Sequence, residues 1–197
     1  MIAEPRPAAS LILMRRGGKH AERTVEVLLV RRSPDARFMP GVWVFPGGTV
    51  EAADAGHEEA AHRACAIREL REEAGIELPD GAEVLPWSRW ITPEVVPVRF
   101  DTRFYVALSP AHSPPQPDGH ETTEAGWFAP ADALERHRSG ELDLVFPTIK
   151  HLESLLPYRS SDDVLEAARD REIEPVLPRV VGEGADRRIV LPGERGY

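Results

Sequence analysis

The sequence predicts an α/β fold of the α+β kind, in which a mixed β-sheet is sandwiched between helices. Short apolar or alternating segments, typical of strands, occur along the chain between longer segments with helical periodicity. A hydrophobic fraction of 42% over 197 residues suffices for one packed domain. We expect residues 1–145 to form this domain, and residues 146–197 to pack on it as helices and a hairpin.

The strand predictions rest on apolar stretches and on the turn residues between them. Strands are predicted at 10–14, 24–30, 42–45, 87–91, 102–108 and 124–128. Gly17 and Gly18 separate the first two strands as a turn, and a proline-rich loop at 110–119 precedes the last. The stretches 175–181 and 188–191, with a turn at 182–184, predict a terminal hairpin.

Helices are predicted at 58–74, 130–138, 148–156 and 162–171. Gly75 supplies the stop of the first helix, and Pro130 begins the first turn of the second. The buried side of the first helix is expected to comprise Ala60, Ala61, Ala64, Ile67, Leu70 and Ala74. The terminal third carries no recognisable chemistry, so we expect it to cover one end of the domain or to form a homodimer contact.

The bulk composition limits the kinds of binding partner and the cellular compartment that we expect for this protein. A net charge of −9 argues against a nucleic acid polymer, because no broad basic field is available to displace counterions. No apolar run approaches about 20 residues, so we expect no membrane span. The apolar run near the start is too short for a signal peptide. Cys65 is the only cysteine, which excludes a disulfide framework and indicates a reducing, cytoplasmic location.

The most informative segment is residues 68–76, Arg-Glu-Leu-Arg-Glu-Glu-Ala-Gly-Ile. Glu69, Glu72 and Glu73 are spaced so that a helix places them on one face, about 5–6 Å apart at Cβ. Like charges repel there unless a divalent cation such as Mg²⁺ binds their oxygens. A solvated acidic face is the alternative. It is disfavoured by the glycine loop at 45–48, which precedes this helix and allows the backbone to approach a ligand closely.

These residues resemble the signature of the Nudix hydrolases, which is a glycine, five residues, a glutamate, seven residues, then Arg-Glu-aliphatic-x-Glu-Glu-x-Gly-aliphatic. Residues 68–76 match its second half throughout. Counted from Gly48, the first glutamate slot falls on Asp54, with Glu58 and Glu59 as alternatives. Thirteen residues follow Asp54 before the second half begins, an insertion of six. The inserted residues either extend the helix or lengthen the loop beside the site.

A second motif resembles the coenzyme A diphosphatase branch of this family, including its peroxisomal animal members. That motif reads Leu-Leu-Thr-x-Arg-Ser, three residues, Arg, three residues, Gly, three residues, Phe-Pro-Gly-Gly. The chain matches it at Leu28, Leu29, Arg32, Ser33, Arg37, Gly41 and Phe45 to Gly48, with Val30 in place of the threonine. The resemblance implies that Arg32, Arg37, Gly47 and Gly48 bind the nucleotide substrate. Phe38 and Met39 are candidates for contacting an apolar part of it.

The resemblance also implies metal-dependent hydrolysis of a diphosphate linkage, with Mg²⁺ or Mn²⁺ as the cofactor. The candidate metal ligands are Glu69, Glu72, Glu73, the Gly47 carbonyl and Asp54. The candidate catalytic residues are Arg68, Glu69, Glu72, Glu73, Glu121 and Glu124. Among them, Arg68 would pair with a neighbouring glutamate. The general base would be Glu72, or one of the loop residues Glu121 and Glu124.

The expected substrate is coenzyme A or an acyl-coenzyme A, which would give 3′,5′-ADP and a phosphopantetheine. Within the same enzyme class, ADP-ribose or NADH is the alternative. A different class of function is a Nudix fold that has lost catalysis and serves as a ligand-binding or regulatory module. The complete set of Glu69, Glu72 and Glu73 argues against that class, while Asp54 and the insertion argue for it.

Overall fold

Strands and helices alternate along the computed structural model, which describes residues 2–16, 25–36, 38–54, 56–182, 184 and 187–197. Within these residues the strands are β1 (Arg6–Arg16), β2 (Val25–Arg32), β3 (Trp43–Val44), β4 (Gly47–Thr49), β5 (Leu85–Ile91), β6 (Phe100–Leu108), β7 (Thr122–Phe128), β8 (Pro175–Val176), β9 (Arg179–Val181) and β10 (Arg188–Val190). The helices are α1 (Glu58–Ala74), α2 (Pro130–Arg138), α3 (Phe146–Leu155) and α4 (Ser161–Arg169). None of these described helices is long and apolar enough to cross a bilayer.

Eight of the strands form one mixed sheet in the order β3-β2-β1-β6-β5-β8, with β4 also paired to β1 and β7 to β2. Strand β1 runs parallel to β6 and β5 runs parallel to β8, whereas the other pairs are antiparallel. Each face of the sheet carries its own core. One core contains Leu70 of α1 and Tyr105 of β6. The other contains side chains of α2, α3 and α4, so the predicted sheet between helices is confirmed.

The C-terminal segment contributes to the second core. Leu152 and Leu155 of α3 are buried there together with Val164 and Leu165 of α4. On this basis we propose that residues 146–197 belong to the same folding unit as the preceding part of the chain.

Helix α1 begins and ends where the sequence predicts. It ends at Gly75, whose φ of 64° is the left-handed conformation typical of a helix C-cap, and whose N–H donates to the Arg71 carbonyl. Because residues 58–67 are helical, most of the inserted residues extend the helix and do not lengthen the loop. The predicted buried side is only partly correct: Leu70 and Ala74 are buried and Ala60 is exposed, while the remaining three, Ala61, Ala64 and Ile67, are half-buried. The buried residues are His62, Cys65, Ala66, Glu69, Leu70, Glu73 and Ala74.

The C-terminal hairpin is smaller than predicted. The stretch 175–181 does not form one strand, because Pro175–Val176 joins the main sheet beside β5 and only Arg179–Val181 pairs with β10. Pro178 separates the two, and a proline has no N–H to continue a ladder. The sequence also did not predict β4, since glycines rarely favour strands. The predicted turn at Gly17 and Gly18 lies outside the described residues.

A buried histidine links α3 to the sheet. His151 is 2% exposed, its Nδ1 lies 2.6 Å from the Pro147 carbonyl oxygen, and its Nε2 lies 2.6 Å from Ser88 Oγ. A carbonyl can only accept, so Nδ1 carries the proton and Nε2 accepts from the serine hydroxyl. The ring packs on Phe104, with 4.0 Å between the ring centroids. Burial lowers the pKa of His151 to about 4.

This histidine predicts that the free energy of unfolding decreases below pH 6.5. In the unfolded chain His151 binds a proton near its ordinary pKa of 6.5, but in the folded protein it does so only near pH 4. The unfolded state therefore binds more protons between these values, and stability is lost as the pH falls through them. Each pH unit is worth about 1.4 kcal/mol, so the total loss from this side chain is roughly 3 kcal/mol.

Urea unfolding between pH 7 and pH 4 measures this loss, with a Ser88→Ala/His151→Phe variant as the control. The variant keeps an aromatic ring on Phe104 and leaves no unpaired serine hydroxyl. We expect wild type to lose roughly 3 kcal/mol more than the variant over this range. Parallel curves for the two proteins would show that His151 does not contribute to acid sensitivity.

Candidate active site

The glycine loop runs beside β1, at the end of the sheet where α1 carries its carboxylates. Strand β4 pairs antiparallel with β1, so that Gly47 lies opposite Ser10 and Gly48 opposite Ala9. A Cβ atom at Gly47 would lie 2.5 Å from the Ala9 carbonyl oxygen, and one at Gly48 would lie 2.2 Å from Glu69 Oε1. Both positions therefore require glycine for close packing, and the Gly48 position brings the loop backbone directly against a candidate metal ligand.

Arg68 lies among the acidic side chains and pairs with several of them. Its Nη1 donates to Glu69 Oε1 and to Glu72 Oε2, both at 2.8 Å. Its Nε and Nη2 donate to the two carboxylate oxygens of Asp54, at 2.9 and 3.1 Å. Nη2 also donates to the Thr49 carbonyl oxygen at 3.1 Å, which ties α1 to β4. Arg68 thus makes the pairing with a neighbouring glutamate that the sequence suggested, and it holds two of the candidate ligands side by side.

Asp54, the residue in the first glutamate slot, is directed at Arg68. Its side chain is 2% exposed, and Oδ2 also accepts from the Glu51 backbone N–H at 2.8 Å. The hydrogen bonds from Arg68 are the largest cause of its lowered pKa. Both carboxylate oxygens are occupied by these donors, so the geometry fits a residue that positions Arg68 better than it fits the metal ligand expected from the sequence. The alternatives Glu58 and Glu59 both pair with Arg103 on β6.

We expect Asp54→Asn to lower kcat by about 10–100-fold, the usual cost of losing a residue that orients metal ligands. Asparagine keeps one acceptor oxygen but loses the charge that holds the Arg68 guanidinium. Steady-state kinetics with a diphosphate substrate measures the effect. The matched control is Glu51→Gln, because the contacts of Glu51 with this cluster are made by its backbone N–H and carbonyl. Equal kcat in Asp54→Asn and in the control would contradict the positioning role.

Glu69 and Glu73 are buried carboxylates in an environment that disfavours their charge. Glu73 is 3% exposed and accepts from the Gly47 backbone N–H at 2.9 Å. Burial raises its pKa to about 8, and the nearby charge of Glu69 adds to this effect. Burial likewise raises the pKa of Glu69. Among the described residues Glu73 forms no ion pair, so this side chain lacks the contact with a cation that a buried carboxylate needs.

The carboxylates do not form a ready-made metal cage. Within the part of the chain that the structure describes, no three Asp, Glu, His or Cys side chains converge as metal ligands would. Instead, one carboxylate oxygen of Glu69 and one of Glu72 accept hydrogen bonds from Arg68, while Glu73 accepts one from the Gly47 N–H. The donors nevertheless fit Mg²⁺ or Mn²⁺, since they are hard oxygen ligands and two of them are buried and lack sufficient compensating charge. We propose that Glu69, Glu72, Glu73 and the Gly47 carbonyl hold the metal.

The two remaining candidates for the general base lie on different elements, Glu121 in the loop before β7 and Glu124 within β7. Burial is the main cause of the raised pKa values of Glu69 and Glu73, and the negative charge of Glu121 adds to both. Thr122, the next residue, donates its hydroxyl to the Glu73 carbonyl, so Glu121 follows the chain close to α1. Glu124 instead pairs with Arg31 of β2, with 2.6 Å between Oε1 and Nη1. The two candidates for the general base therefore have different neighbours, since only Glu124 is paired with Arg31.

The position of Glu121 is set by Ser33 of the second motif and by Asp118 and Thr122, which the sequence analysis did not single out. Asp118 Oδ1 accepts from the backbone N–H groups of Glu121 and Thr122, at 3.1 and 2.8 Å. The Glu121 carbonyl accepts from Ser33 N–H at 2.8 Å. Buried Thr122 donates its hydroxyl to the Glu73 carbonyl at 2.6 Å, which joins the loop to α1. The Asp118-Gly119 pair, a common turn sequence, was the signal that could have identified this turn.

The segment that carries the second motif lies next to this loop. Arg32 of this motif opposes Thr122 in the sheet, and Thr122 donates its hydroxyl to the Glu73 carbonyl, so this part of the motif lies close to α1. The Nε of Arg32 donates to the Phe38 carbonyl at 3.1 Å, and the Phe38 side chain is 37% exposed. The guanidinium of Arg32 therefore stabilises the segment that follows β2 through its hydrogen bond to Phe38. The remaining substrate-binding candidate, Arg37, lies outside the described residues.

Comparison with known proteins agrees with this geometry. A family model described as NUDIX domain matches residues 4–146. The acyl-coenzyme A diphosphatase NUDT19 of Gallus gallus is 27% identical, over 87% of this chain and 72% of that protein. The NAD-capped RNA hydrolase NudC of Pseudomonas aeruginosa is 32% identical, over 88% of this chain and 49% of that protein. A crystal structure of a NUDIX hydrolase from Alicyclobacillus acidocaldarius superposes with a TM-score of 0.76 at 28% identity, over 84% of this chain and 97% of that one.

The family model covers well over half of the chain, and the Nudix signature residues lie together on α1 and the glycine loop. The chain therefore belongs to the Nudix hydrolases, enzymes that act on pyrophosphate bonds.

Proposed function

We propose that this chain hydrolyses the diphosphate linkage of coenzyme A or of an acyl-coenzyme A. The products would be 3′,5′-ADP and the corresponding phosphopantetheine. One observation carries the choice of substrate: the segment that resembles the coenzyme A diphosphatase motif adjoins the carboxylates. Ser33 of that segment donates its N–H to the Glu121 carbonyl, and Arg32 opposes Thr122. The similarity to acyl-coenzyme A diphosphatases supports the same choice.

The chemistry follows from the positions of the chain's own groups. When bound, a divalent cation would neutralise charge on the phosphoryl oxygens and lower the pKa of a water molecule. Arg68 keeps Glu69 and Glu72 adjacent, so that their oxygens can be directed to one point. Gly48 keeps the loop backbone close to the Glu69 carboxylate, and Gly47 donates its N–H to Glu73. Catalysis then consists mostly of positioning the substrate and compensating charge on the transferred phosphoryl group.

We assign the general base to Glu121, because Asp118 accepts from its backbone N–H and the next residue, Thr122, donates to the carbonyl of Glu73, one of the proposed metal ligands. Removing the proton acceptor in Glu121→Gln should lower kcat by about 10²–10⁴-fold, with KM less affected. Steady-state kinetics measures this split. The control is Glu135→Gln, an exposed glutamate on α2. If Glu121→Gln keeps the kcat of the control, Glu121 is not the base and Glu72 becomes the remaining candidate.

Product analysis tests the proposed reaction. The protein is incubated with coenzyme A and Mg²⁺, and the products are separated by chromatography and identified by mass spectrometry. We expect 3′,5′-ADP and phosphopantetheine in equal amounts, and no products after metal chelation. Intact coenzyme A after prolonged incubation with Mg²⁺ and with Mn²⁺ would overturn the proposed substrate.

A second candidate reaction is hydrolysis of a nicotinamide or ribose diphosphate such as NADH or ADP-ribose. The similarity to an NAD-capped RNA hydrolase favours it. Both reactions would use the same carboxylates, and the substrates differ in the group beyond the diphosphate and in the 3′-phosphate of coenzyme A, which ADP-ribose and NADH lack. The regulatory alternative is disfavoured, because a module that only binds has no need for Arg68 and three acidic residues in this arrangement.

A further inference from the structure

The loop formed by residues 38–41, called the 38–41 loop below, exposes two large apolar side chains next to the candidate active site. Phe38 is 37% exposed and Met39 is 44% exposed. The loop follows β2, whose last residue, Arg32, opposes Thr122 in the sheet. Exposed apolar side chains are common singly on protein surfaces. Two adjacent ones, in a loop that follows the strand paired with Thr122, suggest contact with a ligand.

Two consecutive arginines of β2 hold this loop from both ends. The Nε of Arg32 donates to the Phe38 carbonyl at 3.1 Å, and the Nε of Arg31 donates to the Gly41 carbonyl at 3.1 Å. Arg31 is itself held by Glu124, at 2.6 Å. The two bonds fall on opposite sides of Met39. Glu124, a catalytic candidate from the sequence, therefore acts in the structure on the loop.

The loop backbone is held in a conformation that exposes Met39. Met39 has a φ of 48°, the left-handed region that side chains with a Cβ rarely adopt, and Gly41 has a φ of 74°. The Phe38 ring packs edge-on against Phe100, with 5.8 Å between centroids. Backbone strain of this kind persists where the surrounding contacts determine it, and it is found frequently at ligand-binding sites. The apolar side chains are therefore presented by a fixed loop.

We propose that the 38–41 loop is a specificity element that binds an extended, uncharged and largely apolar part of the substrate. Resting on the proposed function, this part is the acyl chain of an acyl-coenzyme A, beyond the diphosphate. The loop is continuous with the catalytic end of the sheet through Ser33, whose N–H donates to the Glu121 carbonyl at 2.8 Å. We therefore expect an acyl chain that follows the diphosphate to extend toward Phe38 and Met39 while the linkage lies at the carboxylates.

The test compares kcat/KM for acetyl-coenzyme A, octanoyl-coenzyme A and ADP-ribose in wild type and in Met39→Asn. Asparagine tolerates left-handed backbone better than most residues, so the loop should keep its conformation. Wild type should prefer the octanoyl compound to the acetyl compound. In Met39→Asn the ratio of kcat/KM for octanoyl-coenzyme A to that for ADP-ribose should fall about tenfold, the effect of losing a few buried methylene contacts. Met39→Leu should retain the wild-type ratio.

Leu156→Asn is the control, because Leu156 is also an exposed apolar residue, 49% exposed, but follows α3. It should leave every ratio unchanged. Three results would overturn the specificity element while leaving the proposed function intact: no chain-length preference in wild type, an unchanged ratio in Met39→Asn, or an equal loss for all three substrates. If wild type cleaves ADP-ribose but no coenzyme A compound, both the proposed function and the specificity element are wrong.

Discussion

Glu72→Gln should lower kcat by about 10²–10³-fold or more while leaving the thermal stability unchanged. Glu72 is the most exposed of the three carboxylates, with 49% of its side chain accessible. Among the described residues, its carboxylate forms ion pairs with Arg71 and with Arg68, whose Nη1 lies 2.8 Å away. An exposed ion pair of this kind contributes at most about 1 kcal/mol to stability. The substitution removes a charge from the proposed metal site without disturbing the core.

Kinetics and thermal unfolding of the same preparation measure the two effects. Glu77→Gln is the control, because Glu77 is an exposed acidic residue that follows α1. We expect the control to match wild type in both measurements. Wild-type kcat in Glu72→Gln would remove Glu72 from the catalytic residues, whereas a large fall in melting temperature would indicate a structural role.

Gly48→Ala should cause a comparable loss of activity by displacing a neighbouring carboxylate. The new Cβ would lie 2.2 Å from Glu69 Oε1 and 2.6 Å from its Cδ, far inside van der Waals contact. The end of a glutamate side chain can move more easily than a backbone. Glu69 should therefore leave its position beside Arg68, which removes one proposed ligand and costs about 10²-fold or more in kcat.

Gly140→Ala separates this steric effect from the general effect of replacing a glycine. Gly140 has a φ of 80°, but a Cβ there would meet no atom within 4 Å. That variant should lose about 1 kcal/mol of stability through backbone strain and keep full activity. For Gly48→Ala, activity measured well below the melting temperature gives the result. Full turnover there would show that Glu69 does not need its present position.

Local sequence signals predicted the elements of the fold that have clear ends. Helix α1 was predicted at both ends. Its C-terminal end was predictable because Gly75 adopts the left-handed C-cap conformation that glycine reaches most easily. The short strand β4 was missed because its pairing depends on contact with β1, a tertiary interaction that glycines do not announce. The terminal hairpin was too long because Pro175–Val176 instead finds a partner in β5, far away in the sequence. Such long-range pairings have no local signature.

The candidate site was predictable in its helical part and less so in its loops. Helical spacing predicted that Glu69, Glu72 and Glu73 share one helix face, and the pairing of Arg68 with a glutamate was expected from the resemblance. The sequence could not separate Glu121 from Glu124, because their surroundings depend on Asp118 and on strand register. Nor could the sequence show that both carboxylate oxygens of Asp54 accept hydrogen bonds from Arg68.

A competition assay tests the central claim most directly. Coenzyme A, ADP-ribose and NADH are mixed at equal concentration with Mg²⁺ and the protein, and the consumption of each is followed by chromatography. Because the substrates compete for one site, their relative rates give the ratios of kcat/KM. We predict that coenzyme A is consumed first and that 3′,5′-ADP is the first product to accumulate. Earlier consumption of ADP-ribose or NADH would contradict the assignment of coenzyme A as the substrate.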